Sequence, residues 1–193
     1  MNGGTRRHAA RERIIAAEVL KLEQRQARQR AAAGEVPARV LAQVFLDAWP
    51  EEAFALFVDD LGFGLRTVGS PLIRPEAGRY VRFRRDASGR FIEVYDARAR
   101  EGCELGRVTV WSPGGRVAHT WREPDWPEGT STDVDVRFEP IFGGTLVRVE
   151  HSGFDRVGPK AAEAGATYQV AWSAALAWVA RRARTRGSAE VTP

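Results

Sequence analysis

The chain has 193 residues, of which 44% are hydrophobic and 28% charged, with a single cysteine. Those are globular proportions; they exclude a disordered or fibrous protein, an intrachain disulfide and a cysteine-built zinc site. The formal charge is +4, yet residues 1–34 hold eight Lys/Arg against three Glu, a net of +5, and the rest therefore sums to about −1. A polycationic domain of the kind that coats nucleic acid is thus not expected, and the basic character belongs to an N-terminal extension.

Residues 1–34 contain no secretory-type apolar run, and no later segment reaches the ~18 consecutive apolar residues of a spanning helix. Together with the lone Cys103 this makes a cytoplasmic setting the expectation, without a membrane span. The segment from Thr5 to Ala33 is free of Pro and Gly and predicts one helix, ended by Gly34 and Pro37. Its apolar stripe, Ile15, Val19 and Leu22, gives way to Gln26 and Gln29, too short for a coiled coil. Residues 5–33 are therefore expected to dock on their own domain, on a protein partner or on a second copy. Domain boundaries follow: an extension at 1–34, one domain at 38–184 and a tail at 185–193.

Arg39 to Leu46 has the β-branched and aromatic content of a strand. Pro50-Glu51-Glu52 then opens a helix with proline in its first turn and acids at its positive end, carrying Phe54, Phe57 and Val58 inward. Asp59, Asp60, Gly62 and Gly64 are expected to stop it, with an irregular connection over 61–78. Strands are predicted near 79–85, 90–97, 104–111, 115–122, 131–139 and 144–151, with turns at Ser88-Gly89, Pro113-Gly114-Gly115 and Phe142-Gly143-Gly144. No Gly pair opens a helix with phosphate-loop spacing.

Val134, Val136 and Phe138 alternate with Asp133, Asp135 and Arg137, and Val147 and Val149 with Arg148 and Glu150, so one face of the sheet is apolar and the other wet. The cover for the apolar face is a helix over about 161–184, whose Tyr168, Trp172, Leu176 and Val179 recur at four, four and three residues. Arg181, Arg182 and Arg184 suit its C-terminal end. Strand parity places His119 with Val117 and Trp121, and His151 with Val147 and Val149, all facing inward. The loop from Glu123 to Gly129 would overhang the opening.

No G-x-S-x-G turn accompanies either inward histidine, and Asp133 and Asp135 face solvent, so neither a triad nor a carboxylate pair forms. No cofactor, metal ligand set or catalytic residue is expected, and the reading leans away from an enzyme. A curved sheet and one helix seldom fill their shared space, which favours a pocket for a hydrophobic or amphipathic small molecule. The candidate ligand-binding residues are His119, Trp121, Val134, Val136, Val149, His151, Tyr168, Trp172 and Leu176, the histidines and tyrosine as polar contacts and the others as apolar wall.

The order strand, helix, several antiparallel strands and one long amphipathic helix resembles the α+β helix-grip proteins of the START-like (SRPBCC) superfamily. Within it the chain is similar to the activator of heat-shock-protein-90 ATPase homologue family. The residues that carry the likeness are Ala48-Trp-Pro-Glu-Glu-Ala-Phe-Ala-Leu-Phe57, Gly106-Arg-Val108, Trp121, Gly144-Thr-Leu-Val-Arg-Val149, His151-Ser-Gly-Phe154 and Tyr168-Gln-Val-Ala-Trp172. The resemblance implies a sheet wrapped on the C-terminal helix, with a co-chaperone or stress-related interaction module, or a cyclase- or hydrolase-type enzyme, as alternatives to ligand binding.

Overall fold

Two periodicities, two along the strands and 3.6 along the last helix, meet face to face in this molecule. The computed structural model describes residues 21–22, 25–67, 80–82, 89–96 and 101–189. The remainder of the expected N-terminal helix, most of the 61–78 connection, residues 79, 83–85 and 97 of two expected strands, Ser88 of an expected turn and the last four residues lie outside them.

Helical residues 25–32 (α1) lead to β1 (Arg39–Leu46), α2 (Pro50–Thr67), β2 (Tyr80–Arg82), β3 (Arg90–Asp96), β4 (Glu101–Ser112), β5 (Arg116–Trp121), β6 (Thr132–Ile141) and β7 (Gly144–Ser152). A 3-10 segment at Phe154–Lys160 then runs into α3 (Ala161–Ala189). The strands form one antiparallel sheet in the order β1-β7-β6-β5-β4-β3-β2. This is the α+β helix-grip arrangement, a curved sheet closed on a long C-terminal helix.

Alternation decides which face is covered. Val134, Val136 and Phe138 of β6 and Val147 and Val149 of β7 are buried, while Asp133, Arg137 and Arg148 are exposed. On α3, Tyr168, Trp172, Leu176 and Val179 are buried against that apolar face, and Phe54 and Phe57 of α2 fill its other end beside Phe138. The wet face carries a lattice of ion pairs, among them a two-pronged Arg116–Asp135 contact and Arg39 with Glu150. Exposed pairs of this kind contribute roughly 0–1 kcal/mol each, so the apolar face dominates stability.

Two expected helix ends are corrected. α2 does not stop at Asp59 to Gly64 but continues to Thr67. Glycine in a helix costs about 1 kcal/mol but keeps its N–H, and only proline removes a ladder bond; the next proline is Pro71. α3 likewise runs past Arg184 to Ala189. The start of α2 follows its sequence: Pro50 occupies the first turn, and the Glu52 carboxylate accepts the Trp49 backbone N–H at 3.1 Å, half of a capping box.

Side chains tie the elements around the grip. The buried Thr145 hydroxyl donates to the Ala48 carbonyl at 2.8 Å, fastening the link between β1 and α2 to the β6–β7 hairpin. A Cβ at Gly165 would lie 2.3 Å from Pro37, so the segment leaving α1 lies flat on the first turns of α3 because Gly165 has no side chain. Gln169 donates to the Leu41 carbonyl on the outer edge of β1 at 3.1 Å, which covers part of a strand edge otherwise open to pairing.

Candidate functional site

The nine residues singled out from the sequence are all buried, and the structure brings them together between β5, β6, β7 and α3. Val134, Val136 and Val149 form part of the apolar floor, with Leu176 above them. The rings pack in a cluster. Trp121 meets Trp172 at 6.2 Å and Tyr168 at 5.8 Å, both edge to face, and His151 lies 4.5 Å from Tyr168 and 4.6 Å from Phe154.

His151 sits at the centre of a hydrogen-bond relay whose directions follow from donor chemistry. The Trp172 indole N–H can only donate, and it donates to His151 Nδ1 at 3.1 Å. The proton of the neutral ring is therefore on Nε2, which donates to Thr132 Oγ1 at 2.6 Å, and the Thr132 hydroxyl donates to the Trp121 carbonyl at 3.2 Å. Both ring nitrogens of His151 are thus committed to the scaffold. Thr132 was not among the sequence candidates. Its signal was parity alone, since it lies two residues before Val134 on the same face.

His119 donates from Nδ1 to the Thr120 carbonyl at 3.0 Å, and burial lowers its pKa from 6.5 to about 4. His151 is also held well below 6.5, first by burial and then by the proximity of His119. A base of that weakness activates a nucleophile poorly near neutral pH. Among the described residues no group of three His, Cys, Asp or Glu could hold a metal ion.

Neutral burial has a thermodynamic sign. Each histidine binds its proton more tightly in the unfolded chain, so the stability it contributes is fully present above pH 6.5 and is lost as pH falls toward the folded value. Urea unfolding should show a flat midpoint from pH 8 to 7. Between pH 6.5 and 5, above most carboxylate titration, the loss from His119 should steepen from about 0.7 to about 1.2 kcal/mol per pH unit, with His151 acting in the same direction. A midpoint constant across that window would contradict neutral burial.

At the Tyr168 end the cluster reaches the surface. Glu123 Oε1 accepts from Tyr168 O–H at 2.6 Å and from Trp121 Nε1–H at 3.0 Å. Burial, followed by the charge of Glu123, holds the Tyr168 pKa well above 10. Beyond this lies a cleft of about 180 Å³ lined by Glu123, Asp125, Trp126, Lys160, Thr167 and Tyr168, with Glu163 and Ala164 completing it. Lys160 and Asp125 pair across it at 2.6 Å, and Trp126 packs edge to face on Tyr168 at 6.2 Å. The loop expected over Glu123 to Gly129 to overhang the opening lies within residues 122–131 between β5 and β6, and Glu123, Asp125 and Trp126 fasten it over this end of the grip.

A curved antiparallel sheet clasping one helix, with aromatic and neutral polar side chains meeting in the gap, defines a helix-grip protein. The family model described as Activator of Hsp90 ATPase homolog 1-like protein matches residues 47–177, and the chain belongs to that family. Among solved structures, a protein from Mesorhizobium loti is similar at 17% identity, with a TM-score of 0.53 over 77% of this chain and 97% of that one. A Nitrosomonas europaea protein is 11% identical, with a TM-score of 0.53 over 78% of this chain and 97% of its own. At these identities the likeness is one of fold. No curated protein matches the chain. Among the described residues, no helix is long and apolar enough to cross a membrane.

Proposed function

We propose that the chain is a non-enzymatic binder of a hydrophobic or amphipathic small molecule, taken up between the concave sheet face and α3. The observation that carries this reading is the convergence of two buried donors, Trp121 Nε1–H and Tyr168 O–H, on one Glu123 oxygen where the cleft meets the ring cluster of Trp121, Phe154, Tyr168 and Trp172. The cleft itself is lined mostly by polar side chains, Glu123, Asp125, Lys160, Glu163 and Thr167, so the apolar wall usual in a ligand site is supplied by the rings behind it. With His151 committed to Trp172 and Thr132, and His119 a weak base, a catalytic role has little to work with. A cleft of about 180 Å³ lies below the ~300 Å³ of common ligand sites, so uptake requires the 122–131 loop or its side chains to give way. Titration with decanol, followed by tryptophan fluorescence and melting temperature, should give a saturable signal and a raised melting point. Linear, non-saturating changes in both would count heavily against it.

A second reading, a co-chaperone or other protein-interaction module as the family's description implies, draws support from a different place. Phe45, Trp49, Ile141 and Phe142 are exposed around the β6–β7 turn, Phe142 completely so, and Leu22 of the N-terminal segment is also exposed. Association through these surfaces, or self-association through residues 5–33, would appear as a mass above the monomer in light scattering. Removal of residues 1–34, or Trp49→Ser with Phe142→Ser, should abolish it while leaving decanol binding unchanged.

A further inference from the structure

We infer that the ligand class of the grip is a carboxylate on an apolar tail, and that Glu123 occupies the carboxylate's place when no ligand is bound. This rests on the small-molecule reading above and names its chemistry. Three donors hold the two loop carboxylates that line the cleft: Trp121 Nε1–H at the end of β5, behind the lining, and Tyr168 O–H on α3 and Lys160 Nζ at the end of the 3-10 segment, within it. The first two point at a single oxygen of Glu123, at 3.0 and 2.6 Å, and the third at Asp125 Oδ2 at 2.6 Å. All three donors belong to the sheet and the helical segment, whereas both acceptor carboxylates belong to the 122–131 loop.

The loop is tied to β4 at its start, where Arg122 N–H donates to the Leu105 carbonyl at 2.7 Å; beyond that point its described backbone bonds, Trp126 N–H to the Glu123 carbonyl at 3.2 Å and Thr130 N–H to the Pro127 carbonyl at 3.0 Å, are turns within it. Glu123, Asp125 and Trp126 supply its side-chain attachments to Trp121, Tyr168 and Lys160. A ligand that displaces the loop removes two carboxylates from three donors at once. Tyr168 is buried, and leaving its hydroxyl without the Glu123 acceptor costs roughly 1–3 kcal/mol. A neutral hydrocarbon cannot repay that cost; a carboxylate can, by charge-assisted bonds to the same three atoms. The raised pKa of Tyr168 keeps its O–H a donor at neutral pH. Glu163, the remaining carboxylate of the cleft, is exposed to solvent and screened. Phe154 and Trp172, which pack around Tyr168 and His151 and lie outside the loop, supply the wall for the tail.

The test compares decanoate with decanol by isothermal titration on the full chain and on Glu123→Ala. With the internal competitor removed, decanoate should bind about tenfold more tightly than it binds the unaltered protein, while decanol changes by about twofold or less. Glu123→Gln, which keeps an acceptor but not the charge and is the milder change for folding, should show a smaller gain in the same direction. Adding Tyr168→Phe to Glu123→Ala should remove most of the gain. An equal gain for decanol and decanoate, or none for decanoate in either variant, would overturn the carboxylate assignment while leaving small-molecule binding intact. Absence of saturable binding by both ligands to all of these proteins would overturn the assignment and the reading beneath it together.

Discussion

Gly106→Ala should cost more than about 4 kcal/mol of folding stability, the range reached only when a substitution forces backbone apart or leaves buried groups unpaired. At Gly106, β4 passes so close to β5 that an added Cβ would lie 1.8 Å from the Thr120 carbonyl oxygen and 2.5 Å from its carbon. Both obstructing atoms are backbone, so no rotamer change relieves the contact. The strands are also pinned on either side of it. Arg107 N–H donates to Thr120 Oγ1 at 2.9 Å, and Arg122 N–H to the Leu105 carbonyl at 2.7 Å. Separation of β4 from β5 would open the sheet between its β1–β7–β6–β5 part and its β4–β3–β2 part. Urea unfolding of the variant should start well below the parent midpoint, or the variant should fail to fold. A midpoint equal to the parent's would contradict the close crossing.

His151→Ala should cost on the order of 5 kcal/mol. Two separable losses combine. Truncation empties ring volume packed 4.5 Å from Tyr168 and 4.6 Å from Phe154, and large-to-small changes in such cores cost about 3–5 kcal/mol. The Trp172 indole N–H also loses its acceptor in a buried place, worth roughly a further 1–3 kcal/mol if the surroundings cannot adjust. His151→Phe separates the two, since it keeps most of the volume and removes the acceptor; it should retain part of the lost stability. A cost below about 1 kcal/mol for His151→Ala, measured by urea unfolding, would show that the relay from Trp172 through His151 to Thr132 does not hold the grip together.

Much of the architecture was legible because burial is written directly in two periodicities. Val134, Val136 and Phe138 against Asp133, Asp135 and Arg137 set the inner face of β6, and the spacing of Tyr168, Trp172 and Leu176 set that of α3; neither needs knowledge of a distant partner. The limits of β1 were also readable, since Arg39–Leu46 is bounded by polar and small residues. The end of α2 was not, because Asp59, Asp60, Gly62 and Gly64 weaken a helix without forbidding it, and burial of the Phe54–Phe57 face outweighs them. Parity placed His151 inside but not its partners. Thr132 lies 19 residues away and Trp172 21, and they reach it only through the β6–β7 register and the rotation of α3. Glu123 was visible merely as part of a loop. Its return to Tyr168, 45 residues on, depends on the turn at Glu123 to Trp126, which no local pattern in the sequence specifies.

The most direct test of ligand uptake in the grip follows the indole N–H signals of a ¹⁵N-labelled chain by NMR during a decanol titration. Binding beside Glu123 and Tyr168 predicts a saturable shift of the Trp121 indole signal, with a smaller shift at Trp172, whose N–H stays on His151. Movement confined to the exposed Trp49, or no saturable movement of Trp121, would contradict it.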